Sequence, residues 1–303
     1  MPVRLCWWPE AQCSRTTHRS PKRCPRCAVR SMLRLFPLTT DPIKRDTGAG
    51  WDEMSEAYQR DSDISLDDVH YAPFAMGESE LNLLGSVEGK FILELACGGA
   101  QNSIALTKWG AKCVGMDISP KQLRQAAKYC AQESAQVGLV RGDMERPSMF
   151  APGSFDVIIS SFGWEFIPDL SACFKSCNSL LIPGGTLLVC TAHPLNAFEW
   201  DDREGAALVT DYFSPPVEVW EAPVADGHGP GMTFFRTYSE MFDLLTRSGF
   251  SVERVVEPFP HYLTDEMDAG GGKSPYVGSY WSASRERLSR MPFAIIYLAR
   301  KTA

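Results

Sequence analysis

"ILELACGGAQNS", residues Ile92 to Ser103, decides the fold. It reads as a buried strand, a turn of small residues and the polar start of a helix. A strand that feeds a glycine turn and then a helix opens a parallel sheet, and the turn lies where a ligand meets the backbone. Gly98 and Gly99 permit that approach, while Ala96 and Ala100 keep the volume small. Glu94 sits inside the apolar strand, where an unpaired charge is costly. It either orders the turn or meets a cationic group of a ligand.

Outward from this unit, strands and helices alternate. "NSIALTKWG" predicts a helix ended by Gly110, and "CVGMDI" a second strand. "SPKQLRQAAKYCAQE" predicts a helix with Ser119 as N-cap and Pro120 at its first position. "VGLVRGD", "FDVIISSF" and "GGTLLVCTA" follow as strands, with the helix "LSACFKSCNSLL" between the last two. "SEMFDLLTRSGF" is a helix closed by Gly249, and "FSVERVVEP" and "FAIIYLAR" are the final strands. The alternation predicts an α/β protein whose parallel sheet is covered on both faces. Two connections, 193–236 and 258–292, are too long for turns. Together with the segment around Trp51 to Glu80 they are read as the lid and walls of a substrate chamber.

Residues 1–45 are a separate compositional unit. They carry ten of the 30 Lys and Arg but only two acids, leaving about −15 on the remainder of a chain whose net charge is −7. This basic, acid-poor stretch is expected to be disordered, and it serves as an organelle-targeting peptide or precedes the true start. The acidic body, 46–303, disfavours nucleic acid as a partner. With 44% hydrophobic residues and no long apolar run, the chain reads as cytoplasmic, without a membrane span. Six of its ten cysteines fall in element interiors as reduced core thiols. "CPRC" at Cys24 and Cys27 has half a zinc spacing with no second pair, so no metal is expected.

Polar groups recur at the carboxyl ends of successive strands, where doubly wound sheets bind ligands. Asp117 ends "VGMD" and can accept from both ribose hydroxyls. Asp143 in "GDM" can accept from an adenine amino group, with Met144 against the ring. "SSFGWEF" sets Ser160, Ser161 and Phe162 at the centre of the cleft, with Glu165 behind. Each has a structural alternative, since Asp117 suits a helix N-terminus and Asp143 a turn. The shared register favours function. A dinucleotide turn starting at residue 96 needs glycines where the chain has Ala96, Gly98 and Gln101, which weakens a nicotinamide reading.

On these features the chain resembles the class I S-adenosylmethionine-dependent methyltransferases of the small-molecule type. "LELACGGAQ" matches the family's acidic glycine loop, "VGMDIS" its ribose strand end, "VRGDME" its adenine strand end, and "FDVIISSFGWEFIPD" and "LLIPGGTLLV" its fourth strand and approach to the fifth. Ala96 and Ala100 depart from it at two glycine positions. The resemblance implies a Rossmann-like, seven-stranded, doubly wound sheet with an antiparallel last strand and a substrate-capping insertion. It implies S-adenosylmethionine as cofactor, contacted by Tyr58, Glu94, Ala96, Gly98, Asn102, Asp117, Ile118, Asp143, Met144, Ser160 and Phe162. "WDEMSEAYQR" resembles the family's N-terminal cap, in which Tyr58 closes over the methionine end, with Trp164 and Glu94 also suited to a sulfonium.

Methyl transfer needs an aligned O, N or C nucleophile and, for a hydroxyl, a proton acceptor. His193 in "CTAHP" is the first candidate base and Glu165 the second; His70, His228 and His261 are weaker. Tyr212, Phe213, Trp220, Phe234, Phe235, Tyr276, Tyr280 and Trp281 suggest an apolar, ring-bearing acceptor, or else pack as the cap's own core. Methylation of a macromolecule, a silent cofactor-binding regulator and an NAD(P)-dependent oxidoreductase remain the alternatives.

Overall fold

The computed structural model describes residues 42–224, 227–260 and 285–302. The first helix, α1 (Pro42–Ser62), precedes a short α2 (Glu78–Leu81). Then come β1 (Phe91–Leu95), α3 (Gln101–Lys108), β2 (Lys112–Asp117), α4 (Pro120–Gln132), β3 (Gly138–Arg141), β4 (Phe155–Ser161), α5 (Leu170–Leu180) and β5 (Leu181–Ala192). Two hairpins follow, β6 (Glu199–Asp201) with β7 (Ala206–Leu208), and β8 (Glu218–Val224) with β9 (Gly227–Thr233). The chain finishes with α6 (Tyr238–Arg247), β10 (Phe250–Val256), α7 (Arg285–Arg290) and β11 (Ala294–Lys301).

Seven strands form one sheet in the order β10-β11-β5-β4-β1-β2-β3. The last strand, β11, inserts antiparallel between β5 and β10, while β1 to β5 pair in parallel. This is the expected doubly wound sheet. Strand order reverses between β1 and β4, so the crevice at their carboxyl ends is the predicted ligand position. One face of the sheet is sealed by α5 and α6 through Phe174, Cys177, Met241 and Leu245; the other packs under Tyr71, Leu83 and Leu84. Glu78 anchors that second layer, its carboxylate accepting from the Tyr71 hydroxyl at 2.6 Å and the Leu83 amide at 2.9 Å.

The capping residues act as read. Ser119 accepts from the Gln122 amide at 3.0 Å, and Gly110 and Gly249 take positive φ beyond their helices. Asp169 caps α5 by accepting from the Ala172 amide. Asp169→Ala should therefore lower unfolding stability by about 1 kcal/mol, measured by denaturant titration.

Two features differ from the sequence reading. Helix α1 begins at Pro42, so it crosses the boundary drawn at residue 45. The basic composition of 42–45 signalled a tail, but Lys44 is buried against two carboxylates, which gives these residues a folded partner. The 193–236 connection is not loop alone: it folds into the two hairpins, and β8–β9 lies along α1. The tail reading of residues 1–41, including Cys24 and Cys27, lies outside the described residues. So do His261, Tyr276, Tyr280 and Trp281, and the side chains of Trp220 and His228. Among the described residues no helix is long and apolar enough to cross a membrane, and no His, Cys, Asp and Glu cluster could hold a metal.

Candidate active site

The ends of β1, β2, β3 and β4 open into a cavity of about 260 Å³ roofed by α1. Its floor is the glycine turn. Ala96, Gly98 and Ala100 all adopt left-handed φ, at 50°, 52° and 57°. Two alanines thus hold a conformation that glycine adopts without strain, a cost of about 1 kcal/mol or more each that the surrounding contacts must hold in place. The Ala96 methyl in turn requires glycine at 163: a Cβ on Gly163 would lie 2.6 Å from that methyl and 2.8 Å from Ser160 Oγ.

Glu94 is the fastener of this turn. Its Oε2 accepts from the Ser103 amide at 2.9 Å and the Ser103 hydroxyl at 2.6 Å, pinning the first turn of α3 to β1. Burial pushes its pKa up to about 7, against those hydrogen bonds. A carboxyl whose native pKa lies above its unfolded value stabilises the fold while protonated, and that contribution is lost as pH rises toward 7. His70, whose burial depresses its pKa to about 4, acts in the opposite sense across part of this range. The comparison must therefore be differential: between about pH 5 and 7 the thermal midpoint of Glu94→Gln should fall less with rising pH than that of the parent protein.

Asp117 ends β2 and fixes the opposite rim. Its Oδ2 accepts from the Gly98 amide and its Oδ1 from the Ser119 amide, each at 2.8 Å. Burial lifts its pKa to about 6, opposed by those amides. Ile118 lies beside it, also on the cavity wall. At the end of β3, Asp143 and Met144 line the adjoining corner, and Lys44 of α1 reaches in to pair with Asp143 Oδ2 at 3.0 Å and with Glu145. Burial alone would lower the Lys44 pKa, but the two carboxylates more than offset it.

Over the turn, Gln59 of α1 donates to Gln122 at 2.8 Å and accepts from Gln101. Gln101, where a dinucleotide loop would carry its third glycine, is a buried link to the roof. Asn102 accepts from the His70 amide at 2.7 Å and donates to the His70 carbonyl at 3.1 Å, while the Ser161 hydroxyl donates to that carbonyl at 3.0 Å. This clamp sets His70 on the cavity wall. Facing it are Trp51 and Tyr58, edge to face at 5.3 Å, with Phe166 against Trp51 and Phe162 stacked on Phe293 at 5.4 Å. Glu165 completes this end, 3% exposed, its pKa raised to about 7 by burial, against its own amide, Thr191 and Arg236. Burial, then the Glu165 charge, raises Tyr58 to about 12.

Of the residues expected in the site, Tyr58, Glu94, Ala96, Gly98, Asn102, Asp117, Ile118, Asp143, Met144, Phe162 and Glu165 line this one cavity. Three others do not. Ser160 is wholly buried, and its neighbour Ser161 lines the cavity, because side chains alternate along a strand. Trp164 sits in the core against Phe174, its indole N–H bonded to the Ser160 carbonyl. His193 turns away: its Nδ1 accepts from the Leu195 amide at 3.2 Å, and its Nε2 faces Glu257 at 3.1 Å and Tyr238. Tyr212, Phe213, Phe234 and Phe235 also lie outside the cavity lining, whose rings come from α1, the β4 end and Phe293. The sequence reading missed Lys44, Trp51 and Gln59. Lys44, Thr47, Trp51 and Tyr58 are spaced as one helical face, a signal available in the sequence had 42–59 been read at helical period.

The strand order, with the antiparallel β11 between β5 and β10, is a Rossmann-like seven-stranded architecture. Residues 93–189 match the family model described as Methyltransferase domain. A solved S-adenosylmethionine-dependent methyltransferase from Mesorhizobium loti superposes with TM-score 0.54 at 23% identity, over 73% of this chain and 95% of that one. One from Listeria monocytogenes gives 0.57 at 19%, over 74% and 95%. Residues 93–189 thus match a methyltransferase domain, and the seven-stranded sheet around them shares its fold with solved S-adenosylmethionine-dependent methyltransferases. An uncharacterised Haemophilus influenzae protein is 28% identical across 82% of this chain and 95% of its own length. The ubiquinone biosynthesis O-methyltransferase of Xanthomonas campestris is 33% identical over 106 residues, 35% of this chain and 44% of that enzyme. The match therefore spans under half the length of that relative.

Proposed function

We propose that the protein transfers a methyl group from S-adenosylmethionine to a hydroxyl of a small, ring-bearing acceptor. The observation that carries the reading is the division of one cavity into two chemically distinct ends. At one end lie the glycine turn and the carboxylates of β1, β2 and β3; at the other lie Trp51, Tyr58, Phe162, Phe166 and Phe293 with two titratable groups, His70 and Glu165.

The first end suits the cofactor. Asp117 would receive the ribose hydroxyls, Met144 would lie against adenine, and Asp143 would accept from its amino group, with Lys44 closing the corner. Bare backbone at Gly98 and the small Ala96 admit the methionine portion, and Tyr58 supplies an aromatic face for its positive centre. When bound, the cofactor supplies an activated methyl group, and the protein has to align the acceptor and exclude water. Helix α1 is the excluding element, fastened by Gln59 to Gln101 beside the turn and to Gln122 of α4, and by Asp52, which accepts from the Ser119 hydroxyl and the Lys121 amide, to the start of α4.

At the second end, Glu165 takes the acceptor's proton. A carboxylate held near pH 7 in an apolar wall is matched to that task, whereas a fully exposed one would be too weak a base. His70, uncharged above about pH 4, offers a neutral hydrogen-bond partner that orients the hydroxyl. The partial likeness to O-methyltransferases supports oxygen as the nucleophile. Incubation with a cell extract and S-adenosylmethionine, followed by mass analysis, should yield a small molecule heavier by one CH2. Labelled methyl found only in protein or nucleic acid would instead favour the macromolecular reading, and binding without any transfer the regulatory one.

A further inference from the structure

His193, drawn away from the cavity, belongs to a second built cluster on the far side of β11. There α6, β10 and β11 enclose a groove of about 500 Å³ lined by Tyr238, Phe242, Val255, Glu257, Ile295 and Tyr297. Its chemistry is one-sided. Glu257 and Asp243 are acidic, no Lys or Arg is among its lining residues, and Tyr238, Phe242 and Tyr297 bring three aromatic rings to the lining. Asp243 is paired with Arg247 at the outer end, 3.2 Å away, so the unbalanced charge falls on Glu257.

The Glu257 carboxylate is held in place by one edge. The Tyr238 hydroxyl, at 2.9 Å, and His193 Nε2, at 3.1 Å, both meet Oε1. Among the described residues Oε2 makes no hydrogen bond, and the side chain is 49% exposed. The His193 ring is itself fixed, since the Leu195 amide donates to Nδ1. Beneath lies Tyr297, 1% exposed, whose buried hydroxyl has no hydrogen-bond partner among the described residues. A buried hydroxyl left unpaired carries a cost that a bound polar group would relieve. Phe242 and Val255, 48% and 52% exposed, extend an apolar shelf from this polar end.

We propose that this groove is a second ligand site that takes a small organic ammonium compound with an apolar body. The ammonium group pairs with Glu257 Oε2 between the Tyr238 and Tyr297 rings, and the apolar body covers Phe242 and Val255. A carboxylate within an aromatic surround selects a cation over a neutral group of the same shape. An anion would face Glu257 with no compensating charge in the lining.

The probe is 2-phenylethylammonium, compared with its neutral counterpart 2-phenylethanol, titrated calorimetrically into the full chain. The ammonium should bind at least about tenfold more tightly than the alcohol. Glu257→Gln should remove most of that preference, Tyr297→Phe should change affinity by a smaller factor, and saturation with S-adenosylhomocysteine should leave the binding in place. Equal affinities for the two probes in the unmodified protein would overturn the proposal without recourse to any variant. So would an unaltered preference in Glu257→Gln, or loss of binding when S-adenosylhomocysteine fills the other cavity. Calorimetry with S-adenosylhomocysteine alone reports separately on the methyl-donor reading.

Discussion

Asp117→Ala should weaken S-adenosylhomocysteine binding by about ten- to a hundredfold, the loss expected when a charged hydrogen-bond acceptor is removed. The size follows from what the carboxylate does at the end of β2. It holds the Gly98 amide, and so the conformation of the glycine turn, while facing the space assigned to the ribose. Asp117→Asn keeps a side-chain carbonyl but not the charge, so its effect should be smaller. Because burial sets the native pKa at about 6, affinity in the parent protein should also decline as pH falls below that value, and this decline should vanish in the Asn variant. Isothermal titration measures both. Undiminished affinity in Asp117→Ala would move the nucleoside away from β2 and take the cofactor assignment with it.

The sheet was readable because its strands are short apolar runs bounded by glycine, proline or acid, and their order along the chain dictates the crevice. "FILEL" and "FDVIIS" need no distant information to be strands, and the acids at their ends mark the ligand side. The two hairpins lacked such signals. Strand β9, "GHGPGMT", contains three glycines and a proline, so only pairing with β8 makes it a strand. His193 shows a different limit. Its position after β5 is local information, but its orientation is set by Glu257, 64 residues away, and Tyr238, 45 away. Lys44 was missed for a related reason. A lysine amid basic residues reads as solvated, and only the meeting of Pro42–Ser62 with the end of β3 reveals the two carboxylates that bury it.

Removal of the proposed base has the largest expected effect on turnover: Glu165→Gln should lower kcat by about 10² to 10⁴, the usual contribution of a positioned proton acceptor. The substitution keeps the size of the side chain and a carbonyl able to accept from Thr191, so S-adenosylhomocysteine affinity should change little. That split between turnover and cofactor binding separates proton transfer from support of the fold. The pH profile supplies the second readout. With its pKa raised to about 7, Glu165 as the proposed base would act as the carboxylate, so kcat/KM in the parent protein should rise with pH through about 7 and level off above it. A base at His70 would instead place the rise near 4, and one at His193 lies outside the cavity altogether. In Glu165→Gln the rise near 7 should disappear, leaving a low, flat rate from alignment alone. A variant that retains both its rate and that inflection would transfer the proton to another group, and the neutral imidazole of His70 is the next one on the cavity wall.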